Sequence, residues 1–262
     1  MFAKTGGDIP TVTVEEIRAA GSRMVEILGL SAAPVGVRFV PTDEQLPAGP
    51  RRLRHARYCQ AVMEARRGAA VLLEGGQLSC PAAASAFGIR PLPDGLRSGK
   101  GLVGFGIVAD PAVGATMFAG MARLDPGSIR ALELSPLDRT ISLPDVVVVE
   151  DRVERLMWLA LADLHSRGGE RLASSTAVLQ ATCVDATVVP YQTGRMNLSY
   201  GCYGCRDATD LGSGEAVLGF PPTRLPAILG HLEYLHTRAI PVSRSKAAWE
   251  AYRGGASSLG EG

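Results

Sequence analysis

Five cysteines stand at positions 59, 80, 183, 202 and 205. Thiolates bind soft metals, carry electrons and attack carbon, so these positions are where chemistry is sought first. In a reducing compartment a structural disulfide is disfavoured, and clustered cysteines point instead to metal or redox work. Cys202 and Cys205 form Gly201-Cys-Tyr-Gly-Cys-Arg206, a Cys-x-x-Cys with glycine beside both thiols. Glycine permits a tight turn and close backbone approach, and amide N–H groups can donate to thiolate or sulfide. Alone, the pair fits half a zinc site, a redox dithiol or two cluster ligands.

Cys80 lies in Gln77-Leu-Ser-Cys-Pro-Ala-Ala-Ala84. Ser79 reads as an N-cap and Pro81 as a first-turn residue, which puts Cys80 at a helix N-terminus where the macrodipole favours thiolate. Cys59 falls inside a helical stretch and Cys183 at the end of an apolar strand, and core packing explains either one by itself. Structural zinc modules take their ligands as two close pairs. Here there is one close pair and no paired histidine beside it. His231 and His236 are spaced five apart and read as surface helix residues, His165 as a helix C-cap, and His55 as part of a basic loop. Dispersed cysteines gathered by a tertiary fold can hold an iron–sulfur cluster, and that is the better reading, with zinc as the alternative.

The elements that must position these thiols alternate between helix and strand. Apolar spacing predicts helices over 14–28, 58–67, 79–87, 115–124, 152–165, 222–239 and 246–252. Strands are expected over 34–40, 71–74, 144–149, 176–183 and 215–220, with the continuous run Val146 to Val149 buried on both faces. Residues 41–57, with three prolines and a basic cluster, read as a surface loop, and 88–104 and 190–212 as loop-rich. The expectation is a single mixed-sheet domain of the α/β or α+β class with flanking helices over 13–253. Flexible tails are expected at 1–12 and 254–262.

The 262 residues carry a formal net charge of +1, with 20% charged and 46% hydrophobic side chains. That balance argues against a protein built to grip nucleic acid or an anionic membrane. No run approaches the roughly 18 apolar residues of a spanning helix. The opening residues lack the apolar core of a secretory signal, so a cytoplasmic location is expected. Gly99-Lys-Gly-Leu-Val-Gly104 lacks the order of a phosphate-binding loop, and no nucleotide site follows from it.

The chain resembles the bacterial and archaeal family called domain of unknown function 169, over about residues 15–238. The resemblance rests on Pro34-Val-Gly-Val, on Cys59 with Ala65-Arg-Arg-Gly68, and on Ser79-Cys80 with Phe87-Gly88. It continues through Pro144-Asp-Val-Val-Val-Val149, Cys183 and Asn197-Leu-Ser-Tyr-Gly-Cys-Tyr-Gly-Cys-Arg206. The family supplies no settled reaction. The resemblance implies a cysteine-containing α/β protein of the metal or cluster type. By motif position, Cys59, Cys80, Cys183 and Cys202 are the family-type cysteines and Cys205 the less typical one.

The leading functional expectation is a [4Fe–4S] protein acting on a small organic substrate. With three ligating cysteines an open iron serves as a Lewis acid for lyase, isomerase or desulfurisation chemistry; with four, electron transfer is the natural role. Tyr200, Tyr203 and Tyr191 are acid–base candidates by proximity in sequence, and Arg206 a partner for a negative cluster or carboxylate. Arg51, Arg52, Arg54 and Arg57 are candidates to recruit an anionic substrate, although a solvated loop explains them as well. Two alternatives stand: a non-catalytic electron carrier or zinc protein docking to a redox partner, and a metal-free enzyme with Cys80 as nucleophile. A homo-oligomer is compatible with any of these.

Overall fold

The structure, a computed structural model, describes residues 12–168, 170–172, 174, 179–240 and 244–258, with only the backbone of 244–247 and 256–258. One seven-stranded mixed sheet organises it, in the order β2-β3-β4-β1-β5-β7-β6. The strands are β1 (Val35–Pro41), β2 (Arg51–Arg52), β3 (Val71–Glu74), β4 (Ile129–Pro136), β5 (Val146–Arg152), β6 (Asn197–Ser199) and β7 (Glu215–Phe220). Only β2 and β3 pair in parallel; every other neighbour is antiparallel.

The sheet is covered on both faces. On one, Val147 and Val149 meet helices α1 (Val14–Leu28), α7 (Val153–Leu164) and α10 (Leu225–His236), through Met24, Leu159 and Ile228 among others. On the other, Val146 and Val148 share a core with α2 (Tyr58–Arg66), α3 (Pro81–Ala86) and the helical segment Ala181–Val188. The alternation along β5 is the strand period of two, and it explains why an unbroken valine run was needed. Helix α1 starts at a Thr13–Glu16 capping box and ends at Gly29, whose φ of 61° is the left-handed conformation of a helix stop. Short helices α4 (Asp94–Arg97) and α5 (Lys100–Gly104) fill the region expected to be irregular, and α6 (Pro111–Ala119) follows. Helices α8 (Val189–Thr193), α9 (Tyr203–Ala208) and α11 (Arg244–Ser258) complete the described elements.

Four expectations are corrected. Strand β4 went unrecognised because buried Glu133 and Ser135 interrupt its apolar pattern; Glu133 is compensated by Arg38 on β1, 3.2 Å away. Helix α6 begins earlier than expected, at an Asp110 N-cap that accepts from the Val113 N–H at 3.0 Å, followed by Pro111. The strand expected over 176–183 is in its described part a helix: Ala181–Val188 is π-helical and runs directly into α8, while residues 176–178 lie outside the described residues. Its β-branched residues suggested a strand, but Gly219 on β7 leaves room for this helix to lie against the sheet. A Cβ there would stand 1.8 Å from the Ala186 carbonyl oxygen. The last helix also continues past Tyr252 to Ser258, where a flexible tail was expected to begin.

Candidate functional site: a cysteine-lined cavity

All five cysteines line one cavity of about 400 Å³. They come from four local settings. Cys59 is the second residue of α2, and Cys183 lies within the π-helical segment. Cys80 itself occupies the N-cap position of α3, not Ser79, and its side chain makes no capping hydrogen bond. Cys202 caps α9, its sulfur accepting from the Cys205 N–H at 3.3 Å. Cys80 is half-buried and the other four are buried.

Cross-links between elements hold the thiols in place. From α2, Arg57 Nη1 donates to the Gly204 carbonyl and Gln60 Nε2 to the Ala208 carbonyl, both at 3.2 Å, which seats Cys59 beside α9. Cys59, Cys202 and Cys205 pack together with Ala181. The Cys202 and Cys205 sulfurs are 3.0 Å apart. Three donors point at them: the Ala181 and Cys205 N–H groups at Cys202, and Thr182 Oγ1 at Cys205, 3.4 Å away.

As free thiols Cys183, Cys202 and Cys205 are held in the protonated form. The hydrogen bond to Cys205 and then burial push Cys202 up. Cys202 lowers Cys205, but a hydrogen bond with Cys59 and burial outweigh this and bring it to about 11. Burial, followed by its four neighbouring charges Cys80, Cys205, Cys202 and Asp185, raises Cys183. A bound cation would replace those protons, and N–H and O–H donors aimed at sulfur are what a thiolate-ligated centre requires. The donor set is therefore of a kind that would fit a thiolate-ligated centre such as an iron–sulfur cluster. Among the described residues, no three His, Cys, Asp or Glu side chains converge on a single-ion geometry.

The remaining wall is mostly apolar. Leu96, Leu102, Phe105, Ile107 and Phe118 of the α4–α6 region line it, as does Leu179. Arg57, Ser79, Gln180 and Asp207 contribute the polar groups. Gln180 had no signal in the sequence. It is a buried non-glycine residue in the left-handed conformation, φ 79°, immediately before the π-helical segment.

The other predicted site residues are dispersed. Tyr203 lines the cavity but is 63% exposed, at its mouth. Tyr200, 62% exposed, is not among the lining residues. Tyr191 packs edge-on against Phe39, ring centres 5.0 Å apart, away from the cysteines. Arg206 does not line the cavity either: its guanidinium donates to the carbonyls of Tyr200, Gly212 and Glu215 and ties the cysteine loop to β7. In the basic loop, Arg51 pairs with Glu64 and Arg52 with Glu74, and only Arg57 reaches the site.

The model of the family called domain of unknown function 169, described as "Uncharacterised ArCR", matches residues 23–231. The chain belongs to this family. The match covers every cysteine and most of the stretch over which the sequence motifs were followed. An uncharacterized protein of Methanocaldococcus jannaschii, MJ0308, is 28% identical over 230 residues, covering 84% of this chain and 95% of that protein. No solved structure matches. No helix among the described residues is long and apolar enough to cross a membrane.

Proposed function

We propose that this family member is an iron–sulfur enzyme that acts on a small organic substrate in the cysteine-lined cavity. The observation that supports it is the convergence of five thiols from four separate stretches of the sequence on one cavity, with hydrogen-bond donors aimed at two of the sulfurs. Cys59, Cys80, Cys183 and Cys202 hold the cluster. When bound, it supplies either a Lewis-acidic iron or an electron-transfer centre, according to whether three or four cysteines ligate. The chain's own groups do the rest. Ala181, Thr182 and the α9 backbone orient the sulfurs, the apolar wall excludes water, and Tyr203 at the mouth is placed to move a proton. A cytoplasmic setting, where thiols stay reduced, suits such a site.

Anaerobic purification followed by iron and sulfide analysis, visible absorption and electron paramagnetic resonance tests the reading. Iron and sulfide in equal amounts with a cluster spectrum are expected; a colourless protein carrying zinc overturns it. One observation favours a second reading: Cys80 is the least buried of the five thiols, as a nucleophile must be. That metal-free enzyme is distinguished by a protein that contains no metal yet loses activity in Cys80→Ser.

A further inference from the structure

Gln180 is 5% exposed, and its side-chain Nε2 is buried without a hydrogen-bond partner, although the residue lines the cavity. A buried amide that donates to nothing is costly, and its backbone is held at φ 79°, a conformation disfavoured for any side chain with a Cβ. Two local penalties at one cavity residue indicate a group kept for what it binds.

Arg57 lines the same cavity. Of the five N–H donors of the Arg57 guanidinium, the hydrogen bond to Gly204 occupies one. The cavity lining thus combines an amide donor and a guanidinium with the apolar side chains of Leu96, Leu102, Phe105, Ile107 and Phe118. Two donor groups suit a carboxylate; a phosphate dianion is met elsewhere by Gly-rich backbone cradles and several cations, which this wall lacks.

We infer that the substrate is a small organic acid with an apolar body, its carboxylate read by Gln180 Nε2 and Arg57 and its body held against the α4–α6 wall. This rests on the reading of the cavity as a substrate site beside a cluster. It goes beyond that reading by assigning a ligand class and two positioning residues.

The test uses the full chain, purified anaerobically, and titrates 3-phenylpropionate by calorimetry, with 3-phenylpropan-1-ol and propionate as controls. The aromatic acid is expected to bind more tightly than both controls. Gln180→Leu weakens it about tenfold, the effect of losing a hydrogen bond to a charged group. Gln180→Glu, nearly isosteric, weakens it further by placing a like charge there, and Phe105→Ala narrows the gap between the aromatic acid and propionate. Circular dichroism verifies that each variant is folded. Equal binding of acid and alcohol, or undiminished acid binding in the folded Gln180 variants, overturns the inference. So does a Gln180 variant that changes only the cluster spectrum. Iron and sulfide measured on the same samples report separately on the cluster: protein without iron that still selects the acid loses the cluster reading and keeps the ligand class.

Discussion

The Tyr58 hydroxyl lies 2.9 Å from Thr187 Oγ1 in the buried interior. Thr187 spends its own proton on the Thr182 carbonyl, 2.6 Å away, so Tyr58 is the donor. The bond joins the residue beside Cys59 to the helical segment that carries Cys183 and fixes the two thiols' supports to one another. Tyr58→Phe removes it with little change in volume. The expected loss is about 1 kcal/mol, a fall in Tm of roughly 2–4 °C for a chain of this size, with reduced iron retention. Thermal denaturation and iron per chain measure both; an unchanged Tm and iron content would show the link to be unimportant.

Gly219 decides how close that segment lies to the sheet. Its substitution by alanine would drive a Cβ to 1.8 Å from the Ala186 carbonyl oxygen, backbone against side chain, with no flexible group to yield. A destabilisation of about 3 kcal/mol is expected, together with displacement of Cys183. Urea denaturation compared with wild type gives the answer, and a neutral result contradicts the packing described.

Glu150 on β5 is buried, with Arg66 Nη1 3.4 Å away. Burial raises its carboxyl to about 7, against the opposing charge and hydrogen bond of Arg66. The folded state therefore keeps a proton that the unfolded chain has already released above the ordinary carboxylate range. The stability this represents is fully present at acid pH and disappears as pH rises through about 7, by up to roughly 3 kcal/mol. Glu150→Gln should flatten that part of the stability–pH curve. A slope identical to wild type would assign the dependence to another group.

On the proposed iron–sulfur reading, the cysteines are separable by iron content. Cys59→Ala, Cys183→Ala and Cys202→Ala are each expected to strip the cluster. Cys205→Ala removes a neighbour of Cys202 that is outside the family-type set, and should cost about tenfold in affinity while leaving a cluster in place. Iron and sulfide analysis of anaerobic preparations decides, and loss of all iron in Cys205→Ala would make it a ligand.

Much of the scaffold could be read directly. The Val146–Val149 run, the periodic apolar face of Val153–Leu164 and the Thr13-to-Gly29 helix carry their structure locally, in hydrophobic period and caps. Where the reading failed, long-range compensation outweighed local pattern. Glu133 hides a central strand because its partner, Arg38, is on another one. The segment after Gln180 holds strand-forming residues, yet the bare backbone of Gly219 admits it as a helix.

The candidate site divides in the same way. Residue type marked the five cysteines as the reactive inventory, since a thiol's chemistry belongs to the side chain itself. That they share a cavity, that Arg206 braces a loop while Arg57 faces the site, and that Gln180 has an unmet donor were decided only in three dimensions. Distance, burial and hydrogen-bond pairing between residues over a hundred positions apart leave no periodicity along the chain; they exist only once the sheet has brought its two layers of helices together.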